Sequence, residues 1–214
     1  QPGSTEAEGA GVINRPRPGF KNGKFPKNPL DAPIVVSSTV AGSNPELTLS
    51  VNGLNHRQQR LANGGNQFSV EPPDQALCVG NGYTVEAVNS VLRVYDTSTG
   101  APLTGVQALN PFFIYPPAIN RTTGAFGDDV IDPVCYYDPD NQRFVVAITT
   151  LHRVGTSSAF SGKNTIDVAV SNTGDPTGLW TIYYVPAQND GTDGTPNHGC
   201  TTDGVTPGPC FQDY

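Results

Sequence analysis

From Phe68 onward, apolar and polar residues alternate with a period of two, the pattern of strands with one buried face. Residues 76–80 (ALCVG), 83–88 (YTVEAV), 90–96 (SVLRVYD) and 102–109 (PLTGVQAL) predict four strands. They are separated by turns at Asn81-Gly82, Asn89-Ser90 and residues 97–100. Asn-Gly between apolar runs is the strongest short hairpin signal, because a type I′ turn needs positive φ at both central residues. A second set follows at 134–138 (VCYYD), 143–150 (RFVVAITT), 165–170 (TIDVAV) and 179–185 (LWTIYYV). Its turns lie at residues 138–141 and 172–178.

Upstream, residues 1–31 read as an irregular arm without sustained period, broken by Gly, Pro and Asn. Residues 32–67 lead from it with two short strand-like runs, PIVVSSTV (33–40) and ELTLSV (46–51), and a polar loop at 54–65 with room for at most one helical turn. No window beyond shows the i, i+3, i+4, i+7 spacing of an amphipathic helix. The fold class is therefore all-β. Both units open alike, with an Asp (Asp74, Asp132), a Cys soon after (Cys78, Cys135), a turn and an apolar strand. Asp213-Tyr214 has the look of a third opening, so residues 68–214 read as the first blades of a β-propeller cut at the start of a third unit. Blades are four-stranded antiparallel units of about 40–50 residues. A β-sandwich, also built of short evenly spaced strands, is the alternative.

Composition narrows the compartment. Only 14% of the 214 residues are charged and Gly and Pro make up 44, which fits a turn-rich extracellular β protein. The net charge of -7 argues against nucleic acid. Charge is uneven: Arg15, Arg17, Lys21, Lys24 and Lys27 make the arm basic, while the remainder carries 7 basic and 17 acidic residues. No apolar run is long enough to span a membrane. A chain that starts at Gln1 and lacks Met reads as a processed product. Four Cys without a C-x-x-C pair point to two disulfides and an oxidising compartment rather than zinc. The register of the repeat pairs Cys78 with Cys135, on equivalent strands, and leaves Cys200 with Cys210.

Candidate chemistry is sparse. Asp128, Asp129, Asp132, Asp138 and Asp140 fall within 13 residues, a density of hard oxygen ligands that suits calcium, although ordinary turns explain it as well. Arg57, Arg60, Arg93, Arg121, Arg143 and Arg153 are scattered, and Tyr83 beside Glu86 is too generic to mark a nucleophile. His56, His152 and His198 have no G-x-S-x-G elbow to serve. The aromatic run at 112–117 (FFIYPP) packs a seam or presents a sticky surface for sugar or protein. Asn120-Arg121-Thr122 is an N-glycosylation sequon.

The stretches GLNHRQQRLANGGNQFSVEPPDQALCVGNGYTVEAVNSVLRVYD, DPVCYYDPDNQRFVVAITT, IDVAVSNTGDPTGLWTIYY and NHGC…GPCFQDY resemble, over residues 52–214, a family of large secreted proteins of uncharacterised function. The shared region of that family is interpreted as a sialidase-like β-propeller that continues beyond the point matching Tyr214. The resemblance implies export and architecture and brings no activity. Residues 171–180 also resemble a loosened Asp-box hairpin. Asp175 is expected to bond the turn, Gly178 to take a strained φ and Trp180 to pack between blades. Together these readings predict a secreted or cell-surface binding or structural module. Its partners are the remaining blades, from a second chain or from copies of itself, with a carbohydrate or protein ligand. Two rivals stand beside it: a sialidase-like glycoside hydrolase with catalytic groups partly elsewhere, and a subunit of an extracellular assembly.

Overall fold

The computed structural model describes residues 49–72 and 74–211. The run at 33–40 and the third-unit opening at Asp213 lie outside them. Residues 49–51 form no strand, and the following segment is more helical than its polarity implies. Helix α1 (His56–Leu61) is held by a capping box in which Asn55 accepts from Gln58 N–H and the Gln58 side chain accepts from Asn55 N–H. A 3₁₀ turn at Ala62–Gly65 ends it.

The first unit is a meander of β1 (Gln75–Gly80), β2 (Tyr83–Val88), β3 (Val91–Asp96) and β4 (Gln107–Ala108), paired in that order into one antiparallel sheet. Asn81 and Gly82 take φ of +48° and +83°, the conformation the Asn-Gly pair predicts. The last strand is far shorter than its sequence run: Gln107 and Ala108 pair as a ladder, Pro102 forms an isolated bridge to Tyr95, and Leu109–Phe112 coils into a single turn, α2. Pro111 lies in that turn, where it cannot contribute an N–H to a ladder.

A small hairpin of β5 (Ile119–Asn120) and β6 (Ala125–Phe126) intervenes. The second sheet holds β7 (Asp129–Asp138), β8 (Arg143–Arg153), β9 (Phe160–Ser171) and β10 (Trp180–Pro186), again neighbours in chain order. β7 starts five residues before the predicted run and crosses a bulge between Ile131 and Val134, where Asp132 adopts φ +56°. Asp132 therefore bends a strand, whereas Asp74 precedes one.

The two sheets pack face to face. Ala76, Cys78, Val85, Ala87, Leu92 and Val94 of sheet one meet Val130, Phe144, Val146, Ile148 and Ala169 of sheet two, with Leu109 and Phe113 filling the seam. The first strands, β1 and β7, lie together and are joined by Cys78–Cys135. The second disulfide, Cys200–Cys210, closes a loop that folds over the end of sheet two, where Asn164 Nδ2 donates to Cys210 O. Both bridges follow the predicted pairing. Neither four-stranded sheet closes on itself.

The outer faces differ. On sheet one, Leu54 and Ala62 cover Val91 and Ala108, while Leu77 and Val79 stay exposed. On sheet two, the register aligns Tyr136–Val145–Val170–Thr181, Val134–Ala147–Val168–Tyr183 and Thr149–Ile166–Val185 across the strands. These eleven aligned residues include no charge. Val134, Tyr136, Tyr183 and Val185 are each more than half exposed.

Candidate functional site

The seam between the sheets opens outward beside β10 into a groove of about 280 Å³. One wall is Leu92 and Val94 of β3 with Thr104 and Gln107; the other is Trp180 and Ile182 of β10 with residues 176–179. Phe112 forms the floor, its ring edge-on to Trp180 at 5.5 Å. The groove exists because β4 is two residues long while β10 is seven, so sheet one stops short of its neighbour.

The hairpin 171–180 positions Trp180. Asp175 Oδ1 accepts from the Thr177 N–H and hydroxyl at 2.8 and 2.7 Å, and the indole N–H donates to Pro176 O at 3.0 Å. Asp175 bonds the turn as expected, and Trp180 packs edge-on against Phe112. Gly178 does not take the expected strained conformation: its φ lies outside the left-handed region, and an added Cβ would meet only Asp175 O at 3.5 Å. The hairpin closes through side-chain bonds instead. The aromatic run at 112–117 supplies the seam, with Phe113 fully buried and Ile114 left 75% exposed at the lip of the groove.

Beneath the seam runs a hydrogen-bonded array that no motif announced. Asp128 Oδ2 lies 3.0 Å from His152 Nδ1, and His152 Nε2 lies 3.3 Å from Thr165 Oγ1. Tyr115 donates to Asp167 Oδ2 at 2.8 Å, as does Thr150 at 2.6 Å, and the Tyr115 ring meets that of His152 edge-on. Burial pushes the Tyr115 hydroxyl well above its ordinary range, and the Asp167 carboxylate adds to the effect. Burial also acts to raise Asp128, but bonds from His152 and the Arg153 N–H outweigh it and hold the carboxyl low. Asp167 is fully buried, and its Oδ1 has no hydrogen-bond partner among the described residues. A signal for it was available: the alternation of TIDVAV puts Asp167 on the inward face with Ala169. Chemically the array can orient His152 and pass protons along hydroxyls; its members also cross-link β8, β9 and the loop after α2.

The five acidic residues considered for calcium are not brought together. Asp128 and Asp129 sit at the start of β7, while Asp138 and Asp140 sit in the turn at its far end, roughly 30 Å away at about 3.3 Å per residue. At each end the carboxylates hold partners of their own. Asp129 pairs with Arg153 at 2.8 Å; burial raises its carboxyl even beside that cation. Asp138 accepts from the Asp140 and Asn141 N–H groups and from the Asn141 side chain, which lowers its carboxyl. Among the described residues, no three His, Cys, Asp or Glu side chains converge as metal ligands.

The arginines are likewise dispersed. Arg121 donates to the Gly65 and Gln67 carbonyls, Arg143 to its own turn, and Arg153 stacks on Phe126 and Phe160. The Tyr–Glu pair that the fold builds uses Tyr95, not Tyr83: Tyr95 donates to Glu86 Oε2 at 2.7 Å on the outer face of sheet one, beside Arg93. Burial and Glu86 push Tyr95 up to about 12, and Glu86 also receives the Leu54 N–H, so the pair ties the α1 segment to the sheet. His56 pairs with Glu71, far from His152 in sequence, and the His198 N–H donates to Asn189 O. Asn120 is exposed on β5, where its Oδ1 accepts from the Thr122 and Thr123 N–H groups. No described helix is long and apolar enough to cross a membrane.

No family model, curated protein or solved structure matches the chain.

Proposed function

We propose that the chain is a secreted or cell-surface binding and structural module of β-propeller type, in which a further four-stranded sheet covers the outer face of sheet two. The observation that carries this reading is the uncharged apolar face running through Tyr136, Val145, Ala147, Val168 and Tyr183. A two-layer sandwich has one buried interface and alternates to polar residues on its outer faces. Sheet two packs one face on sheet one and carries no charge at these positions of the other, as a sheet stacked between two others must. Connectivity supports the same reading: each meander stays within its own sheet, whereas sandwiches commonly pass strands between sheets in Greek keys. Two disulfides fit an oxidising, extracellular setting.

The supplier of the covering sheet is a second polypeptide or another copy of the chain. Light scattering over a range of concentrations tests this. The reading predicts a mass above 22.5 kDa, or assembly on addition of the partner, and loss of that assembly in Val168→Lys, which places a charge in the middle of the face. A monodisperse 22.5 kDa species that binds no apolar dye would remove the reading and favour the sandwich.

A further inference from the structure

β10 is the outer edge of sheet two: it pairs with β9 on one side, and no described strand pairs with the other. Its seven residues, WTIYYVP, carry no charge. Long, apolar, flat edges are templates for another strand, and proteins ordinarily blunt them with charges, bulges or short length. None of those devices interrupts β10 before Pro186. The groove lies beside the first half of this edge, at Trp180 and Ile182, so a strand added there would place alternate side chains over it. Ile114 is a second, independent observation. It stands on the lip, three-quarters exposed, with φ +64°, a conformation that a β-branched residue adopts only under constraint. A strained apolar side chain held in solvent beside an unpaired edge has the marks of a site awaiting its occupant.

We propose that β10 accepts an extended, uncharged segment of a partner polypeptide as a fifth strand of sheet two. Main-chain hydrogen bonds to the edge supply affinity, and the groove beside Phe112, Ile114 and Trp180 selects apolar residues at alternate positions. No charged side chain lines the groove and the chain carries a net charge of -7, so acidic segments are disfavoured. The site concerns the edge of sheet two and stands whether or not its flat face is covered.

Trp180 is the chain's one tryptophan, so its emission reports on this groove. The probe is an acetylated, amidated hexapeptide of alternating threonine and valine, titrated into the full chain. A second peptide carries N-methyl groups at alternate residues, which remove its main-chain donors. The first is expected to shift Trp180 emission saturably, and the second to bind about tenfold more weakly or worse. Ile114→Gly relieves the φ constraint and removes the lip. It is expected to keep or raise the melting temperature while weakening the first peptide roughly tenfold. Absence of any response, equal binding of the N-methylated peptide, or undiminished binding to Ile114→Gly would each overturn the proposal. So would a chain already dimeric through β10 whose emission ignores the peptide.

Discussion

Gly80 of β1 lies flat against the ring of Tyr137 on β7, so close that a Cβ at position 80 would stand 2.2 Å from Tyr137 Cδ1. Tyr137 in turn packs on Phe144 with ring centroids 4.7 Å apart, which anchors it from the other side. The missing side chain at 80 lets the first strands of the two sheets approach. Gly80→Ala is therefore expected to destabilise by about 1–3 kcal/mol through overpacking. Urea denaturation reads this directly, and a variant as stable as the parent would show that the seam is loosely packed.

The two disulfides should contribute unequally. Cys78–Cys135 spans 57 residues and Cys200–Cys210 spans 10. In the chain-entropy account, removing the first costs about 4 kcal/mol and removing the second about 3 kcal/mol. Paired Cys→Ala variants compared by their denaturation midpoints check the order. A greater loss for the short loop would mean that the C-terminal cover over sheet two matters more than the tie between sheets.

Much of this architecture was legible beforehand, and the reasons are local. Strands 83–88 and 143–150 carry clean alternation between turn residues, and both Cys78 and Cys135 sit three residues before a turn, which aligned them as partners. What escaped detection depended on tertiary context. β4 is short because its run leaves the ladder at 103–106, where the Thr104 side chain takes the Val94 N–H and both Leu103 and Thr104 N–H groups converge on Val94 O. α1 formed in a polar segment through its capping box, although it offers no apolar periodicity. The groove was invisible because it arises from unequal strand lengths in two different sheets. The acidic residues 128–140 looked clustered only because sequence distance hides the length of a strand.

Alkaline titration tests the raised hydroxyls. Tyr95, Tyr115 and Tyr184 are all raised by burial, Tyr95 to about 12. A group raised in the folded state contributes stability that is fully present below its unfolded value near 10 and is lost as pH climbs through its folded value. Stability should accordingly fall between about pH 10 and 12. Phenolate absorbance of the parent against Tyr→Phe variants at 95, 115 and 184 is expected to show these hydroxyls ionising late, together with unfolding. Ionisation of Tyr95 and Tyr115 near 10 would contradict the burial assigned to them.

Excess chelator at neutral pH is expected to leave the melting temperature unchanged. Asp128, Asp129 and Asp138 already hold His152, Arg153 and the turn amides, and they stand at opposite ends of β7. A ligand bound only by the native state would raise the melting temperature with concentration, so a rise on adding calcium would assign these carboxylates a second role.

The central claim is that the uncharged face of sheet two is an internal surface of a larger stack of sheets. Hydroxyl-radical footprinting of Tyr136 and Tyr183 in the assembled protein, against the Val168→Lys variant as the dissociated reference, tests it most directly. Both side chains are more than half exposed on the chain by itself. The account predicts strong protection of both in the assembly and its loss in the variant, with the buried Phe144 protected in each. Equal labelling of Tyr136 and Tyr183 in both samples would mean that the face meets water, and the stacked-sheet account would be wrong.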